Sequence, residues 1–310
     1  MRRARPALRA HPAEPAPHTA GPPPHPTGPS HHPTGPAPRA RPRLRTQRAL
    51  RALHAEWTKL RTLPSSWLLL AATVVLTFAV GTAAVSSVST RECASAAACH
   101  EDTVKLALTG VWLGQATVLV LGALSMGAEY GTGTVRTTLT AIPRRATVLA
   151  SKAAVLAAAT GIAAGTAILA SLATARWILP ANGFTPEAGY PLLSLTDTPT
   201  LRAALGSTLC LILIALLGLG LAVLLRDSAA AITTGLGVLY VVPLLSDLLG
   251  SPTWKDRLER WAPIPAGLAI RATKDLARLP IGPWPGLGVL AAYALGMLLV
   301  GGAIFTRRDA

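Results

Sequence analysis

The sequence predicts an all-α integral membrane protein: six transmembrane helices, an N-terminal interfacial helix, and short amphipathic helices between spans five and six. Of the 310 residues, 51% are apolar and only 14% are charged, whereas soluble domains carry roughly a quarter charged residues. Six apolar runs approach the roughly 20 residues that a helix needs to cross a bilayer, and none alternates as a barrel strand would. The runs cover residues 66–88, 104–126, 147–173, 203–225, 229–249 and 284–305.

The N-terminal segment 1–46 differs in composition from the rest of the chain. It holds 13 of the 26 prolines, and such a segment cannot bury enough apolar surface to fold. We therefore predict a disordered tail rich in Pro, His and Arg. No apolar segment of a signal peptide follows the first arginines. An alternative hypothesis places the true start near Leu50, so that the tail is not translated.

More than half of the formal charge of +15 lies at the N-terminal end of the chain, because residues 1–51 hold ten arginines and one acid. No binding fold or aromatic pattern accompanies the charge, so nucleic acid is not an expected partner. Attraction to anionic membrane lipid explains it better. Six spans place both termini on one side, and the tail together with Arg307 and Arg308 predicts that this side is the cytoplasm. The expected location is the cytoplasmic membrane.

Residues 47–64 have the pattern of an amphipathic helix that lies in the membrane interface. Pro64 ends it, and residues 65–310 would form the six-helix transmembrane domain. An ordinary juxtamembrane helix without a partner is the alternative. Its apolar face is formed by Leu50, Leu53, Trp57 and Leu60, and its charged residues are Arg48, Arg51, Glu56, Lys59 and Arg61.

The connector at residues 129–139 is the most unusual segment, because it is polar and rich in glycine between two apolar spans. Joining two spans requires less chemistry than this, so we predict a surface that docks another protein. Solvated loop charges without a partner are the alternative. The residues that make the connector distinctive are Glu129, Tyr130, Gly131, Gly133, Thr134 and Arg136.

The loop at residues 250–283 would lie on the outer face, although its many basic residues disagree with the positive-inside rule. Trp254, Leu258 and Trp261 recur at helical spacing, and so do residues 268, 272 and 276. We predict two short amphipathic helices, separated around Pro263 and Pro265. Oppositely charged pairs four residues apart would support them, Asp256 with Arg260 and Arg271 with Asp275.

Few residues are suited to chemistry within the spans. Lys105 and Lys152 lie near span ends, where lysine can extend to water, and Asp247 is the only acid within an apolar run. A Cys93 to Cys99 disulfide and two free thiols are both open. No metal-site spacing, enzyme constellation or phosphate loop is present. The chain is therefore not expected to be an enzyme, and any ATP hydrolysis would come from another chain.

Three stretches resemble the membrane subunit of type-2 ABC exporters from high-GC actinobacteria. One is the Glu-Tyr-x-x-Gly-Thr-x-Arg-x-Thr-Leu pattern at 129–139, followed by Pro143, Arg144, Arg145 and a third span that opens with Lys152. The second is Glu-Trp-Thr-Lys-Leu-Arg at 56–61, and the third is Phe-Thr-Arg-Arg-Asp at 305–309. The resemblance covers roughly residues 50–310 and leaves out the tail.

The resemblance implies a permease that pairs with a second permease subunit, as a homodimer or heterodimer, and with two cytoplasmic ABC ATPase subunits. The ATPase partner would bind ATP, and no cofactor is expected in this chain. The interfacial helix and the connector would receive the ATPase. The residues expected at this coupling interface are Glu129, Tyr130, Gly131, Gly133, Thr134, Arg136, Glu56, Trp57, Lys59 and Arg61.

Within this interface, we expect Glu129 and Arg136 to make charge-assisted bonds that fix the connector against the interfacial helix or the ATPase. Gly131 and Gly133 would let another backbone approach closely. The competing hypothesis is a six-span assembly factor or sensor that does not transport and that docks a soluble partner on the same surface.

Overall fold

The computed structural model describes residues 42–90, 100–135, 145–248 and 252–307, which are helical with short connections and contain no strand. The predicted tail up to residue 41, Arg136, the Cys93 and Cys99 pair, and the side chain of Asp247 lie outside the described part. The helices are α1 (Pro42–Thr62), α2 (Pro64–Ser86), α3 (Thr103–Ala107), α4 (Val111–Thr132), α5 (Arg145–Ala181), α6 (Thr198–Leu225), α7 (Ser228–Leu236), α8 (Val242–Leu248), α9 (Pro252–Trp261), α10 (Pro263–Leu268) and α11 (Pro283–Arg307).

Six described helices are long and apolar enough to cross a membrane, which confirms the predicted fold class. Five of them are α2, α4, α5, α6 and α11. The other is the continuous rod from α7 to α8, whose middle turn, Gly237–Val241, is π-helical. Such π turns insert an extra residue into the helical repeat.

The interfacial helix α1 begins at Pro42, so residues 42–46, which we assigned to the tail, are helical. Proline fits the first turn of a helix because the amide hydrogen it lacks would have no partner there. The buried face of α1 passes through Ala52 and Glu56, whereas Leu50 and Trp57 from the predicted apolar face are exposed. Glu56 therefore points into the bundle and not to water.

The second span is shorter at its start than the apolar run suggested. Thr103–Ala107 forms the separate helix α3, whose N-cap Asp102 accepts a hydrogen bond from the amide of Lys105 at 3.0 Å. The span itself begins at Val111, after Gly110. At Gly110 a Cβ would overlap the backbone of Thr77 on α2, so this close helix contact fixes where the span starts.

The same span extends further than predicted at its other end. The connector residues Glu129, Tyr130 and Gly131 are in the last turn of α4, which ends at Gly133 with a left-handed φ of 72°. Glycine tolerates this conformation and commonly ends helices. The predicted connector is therefore helical in its first residues, and their side-chain directions are set by α4.

The core is formed where α4 and α6 approach closely. Gly122 faces the backbone of Ala215, and Gly218 faces the backbone of Leu119. Small residues let helices approach where lipid supplies no hydrophobic drive. The α6 helix also packs against α5 and α11, so it is the central helix of the bundle.

Between spans five and six, only the first predicted amphipathic helix forms, as α9. The second is wrong: α10 covers Pro263–Leu268, and the chain then makes two short 3₁₀ turns, Ala269–Arg271 and Leu276–Arg278. Pro263 begins α10, because proline suits a first helical turn, so the helix lies earlier than its apolar spacing indicated.

Neither of the two ion pairs predicted for residues 250–283, Asp256 with Arg260 and Arg271 with Asp275, forms. Arg271 donates instead to the backbone oxygens of Leu108, at 3.2 Å, and Leu268. Arg260 donates to the oxygen of Pro280 at 3.1 Å. Both guanidinium groups thus bind backbone carbonyls. In place of the helix predicted over residues 268–276, the chain makes two short 3₁₀ turns.

Candidate functional site

Four charged side chains from three helices meet at one end of the bundle. Lys152 of α5 binds Glu56 of α1 at 2.6 Å and Glu129 of α4 at 2.9 Å. Lys59 of α1 binds the same two carboxylates, Glu129 at 2.9 Å and Glu56 at 3.1 Å. We call these four residues the charge cluster; its two ammonium groups and two carboxylates balance.

Local structure places each member of the charge cluster. Glu56 and Lys59 are three residues apart and therefore lie on one face of α1. Glu129 lies one turn before Gly133, the residue that ends α4. Lys152 lies about two turns into α5, which begins at Arg145. The cluster thus joins α1 to the end of one span and the start of the next.

Three of the four side chains in the charge cluster are buried. The side chains of Lys152, Glu56 and Glu129 are 5%, 7% and 11% exposed, and Lys59 is 40% exposed. Burying a charge is unfavourable unless it is paired and hydrogen-bonded. Each buried charge here has an oppositely charged partner, so the four residues stabilise one another. The loss of one member leaves the two opposite charges with a single shared partner.

The neighbouring carboxylates keep the side chain of Lys59 protonated. Burial alone would lower its pKa, but the hydrogen bond to Glu129 and the charges of Glu56 and Glu129 raise the pKa of Lys59 above its ordinary value. Lys59 therefore remains an ammonium group at neutral pH and keeps both carboxylates paired.

A cavity of about 150 Å³ borders the charge cluster. Its lining includes Glu129 and the hydroxyl-bearing Ser65, Ser66 and Ser125. Within the described part of the chain, Glu129 Oε2 is buried without a hydrogen-bond partner. Most of the lining is apolar, and the polar groups lie where the cavity meets the charge cluster. The volume is large enough for a water molecule beside the carboxylate that joins α4 to α1.

The other predicted coupling residues surround the charge cluster without joining it. Trp57, Arg61, Gly131 and Thr134 are exposed. In the described part of the chain, nothing lies within 4 Å of a Cβ built at Gly131 or Gly133. The backbone approach that we expected at these glycines therefore does not occur among the described residues, and Gly133 serves the left-handed end of α4.

Tyr130 has its ring 6.0 Å from the guanidinium of Arg226, at the turn between α6 and α7. Arg145, the first residue of α5, donates to the Phe305 oxygen at 2.7 Å and lies 5.5 Å from that ring. The first contact joins the end of the second span to the end of the fourth, and the second joins the start of the third span to the end of the sixth.

Sequence reasoning missed the role of Lys152. We expected its ammonium group to extend to water, but it is the most buried member of the charge cluster. One feature of the sequence could have indicated this role. Two carboxylates, Glu56 and Glu129, lie near the ends of apolar segments, and a carboxylate there needs a cation such as Lys152 as its partner. Glu129 does contact the interfacial helix, one of the two places where its bonds were expected.

The opposite end of the bundle holds a second set of polar contacts, centred on Asp102. Its carboxylate accepts hydrogen bonds from the Thr273 hydroxyl at 2.6 Å, the Lys274 amide at 3.0 Å and the amides of Thr273 and Lys105. Burial would raise the pKa of Asp102, but these bonds lower it below its usual value. Asp102 therefore ties α3 to the loop after α10.

The site is suited to joining helices mechanically, since its side chains are paired with one another. Among the described residues, no group of three or more His, Cys, Asp and Glu side chains is arranged to hold a metal ion. No family model matches the chain, and no curated protein matches its sequence.

Proposed function

We propose that this chain is the membrane-spanning permease subunit of an ABC exporter. It would move a substrate across the cytoplasmic membrane using ATP hydrolysed by a separate ATPase subunit. The resemblance of residues 56–61, 129–139 and 305–309 suggests this class. The observation that carries the proposal is the charge cluster, because it links the two segments on which the ATPase is expected to dock.

The charge cluster supplies the stiffness that coupling requires. A displacement of α1 would act on α4 through Glu129 and on α5 through Lys152. The indole of Trp67, on α2, donates to the backbone oxygen of Arg61 at 2.9 Å, which ties α1 to the first span as well. Movement of a docked ATPase would therefore be passed to three spans together.

The docking surface would consist of the exposed residues around the charge cluster. Trp57 and Arg61 lie on α1, and Gly131 and Thr134 lie at the end of α4. All four residues are exposed, so a partner could contact them. In this proposal both termini and this surface face the cytoplasm, and a second permease subunit completes the transporter.

The first test is purification of the full chain in mild detergent, followed by mass spectrometry of the proteins that remain bound. We expect a soluble ATPase that carries a phosphate-loop motif. Arg61→Glu should reduce its recovery, because Arg61 is exposed and its substitution leaves the fold intact. Arg176→Glu, at the other end of α5, is the matched control and should retain the ATPase.

The coupling role requires a second test on the reconstituted complex. Glu129→Gln should keep the ATPase bound but reduce transport-linked ATP hydrolysis, because α4 would no longer be held to α1. Unchanged hydrolysis in a correctly folded variant would remove the coupling role. Recovery of a different soluble partner, with no ATPase, would support the assembly factor or sensor instead.

A further inference from the structure

An apolar groove of about 490 Å³ runs along the surface of the bundle between the fifth and sixth spans. Leu217 and Leu221 of α6 lie at its base, and Val242 contributes from the fifth span. Tyr293 and Met297 of α11 line the other side. The groove lies within the segments that cross the membrane, so lipid chains have access to it.

Helix α9 adds a different chemistry to the lining of the groove. Trp254, Leu258 and Trp261 lie on one face of α9 and contribute to the lining. Arg257 joins them, and its guanidinium lies 5.6 Å from the centre of the Trp254 ring. This stacking holds a positive charge at the mouth of an apolar groove.

Arg257 differs from Arg260, the other arginine of α9, in that no hydrogen bond to another described residue holds its guanidinium. Among the described residues, no carboxylate forms an ion pair with it. Arg260 is directed elsewhere, to the backbone oxygen of Pro280. A guanidinium matches the geometry of a phosphate with two parallel hydrogen bonds, so Arg257 is suited to an anionic head group.

The length of the groove fits an acyl chain. Thr234 and Val242 both line it, and eight helical residues separate them by about 12 Å. One leaflet contributes about half of a hydrocarbon core of about 30 Å. The groove therefore covers most of the depth that one acyl chain occupies below its head group.

We propose that this groove binds a phospholipid with a net negative charge, with one acyl chain between the fifth and sixth spans and the phosphate at Arg257. The lipid belongs to the leaflet on the side of α9. This site is independent of the charge cluster and of transport, and it gives a purpose to one of the basic residues in the outer loop that disagreed with the positive-inside rule.

The test uses the full chain in phosphatidylcholine nanodiscs that contain phosphatidylglycerol with a photoactivatable group in its acyl chain. After illumination, mass spectrometry locates the labelled peptides. We expect the label on the segments around Val242 and Tyr293. Arg257→Gln should reduce it about fivefold, which corresponds to about 1 kcal/mol for one basic residue at an anionic surface. Arg260→Gln is the matched control and should label as the unmodified chain does.

A second variant tests the groove independently of charge. Thr234→Trp would fill it while leaving Arg257 in place, and should also remove the label. Even labelling of all lipid-facing spans, or equal labelling by a photoactivatable phosphatidylcholine, would overturn the proposal. So would crosslinks in the groove to a second copy of the chain, since these would identify a subunit interface.

Discussion

Lys152 donates a hydrogen bond to Glu56 across 2.6 Å, although 96 residues separate them in the chain. Both side chains are buried. This ion pair fixes the interfacial helix α1 against the third span, and Glu129 extends it to the second span. The position of α1 is therefore set by buried charge and not only by an apolar face resting on the membrane.

Removal of Lys152 should destabilise the protein strongly. Lys152→Met would leave Glu56 and Glu129 with only Lys59, and breaking a buried pair typically costs about 3–5 kcal/mol. The measurement is the free energy of unfolding in detergent micelles. Lys105→Met is the control, because Lys105 is exposed. Equal stability of the two variants would contradict the role of the cluster.

Replacing both Glu129 and Lys152 should lower the free energy of unfolding by less than the sum of the two single replacements. In Glu129→Gln combined with Lys152→Met, neither charge remains to be left without its partner. A double-mutant cycle on unfolding free energy should therefore show coupling of about 0.5–3 kcal/mol. Gln115 with Lys152 is a control cycle, and additivity is expected there, since no hydrogen bond joins those two described side chains.

High pH should weaken the charge cluster through Lys59. The folded-state pKa of Lys59 is raised above its ordinary value of 10.5, so its contribution is fully present below that value and is lost as the pH rises through the folded pKa. Melting temperature against pH in the alkaline range measures this loss. Lys59→Gln should show a smaller alkaline decline than the unmodified chain.

Low pH should loosen the opposite end of the bundle through Asp102. Its folded-state pKa is lowered below the ordinary value of 3.8, so its contribution is present above that value and is lost as the pH falls through the folded pKa. The protection factors of the Thr273 and Lys274 amides against hydrogen exchange, which correct for the slower intrinsic exchange in acid, should fall over that acidic range. In Asp102→Asn, exchange there should be fast at neutral pH also, whereas Asp275→Asn should leave it slow.

A methyl group at Gly110 should disturb the contact between the first two spans. Gly110→Ala would place a Cβ against the Thr77 backbone, which cannot move as a flexible side chain could. Overpacking of this kind costs about 1–3 kcal/mol. Gly165→Ala is the matched control, because no described atom lies within 4 Å of a Cβ at that position. The measurement is the melting temperature of each variant. A lower value for Gly110→Ala only would identify the close contact with Thr77, and an equal decrease in both variants would contradict it.

The sequence by itself determined which segments cross the membrane and that an amphipathic helix precedes the first of them. Apolar length and helical spacing are local properties, and each can be read from about 20 adjacent residues. The same reasoning indicated that Glu129 is an unusual residue to find between two spans. It also found α9, because Trp254 and Trp261 recur at helical spacing.

Only the tertiary structure decided how these elements meet. The apolar run from residue 104 does not reveal that Thr77 abuts Gly110 and that the span therefore starts at Val111. The spacing of residues 268–276 suggested a helix, but Asp102 and Leu108 bind that loop in another conformation. Lys152 becomes a buried partner of Glu56 because packing brings α1 against α5, and no local pattern encodes a contact between residues so far apart in the chain.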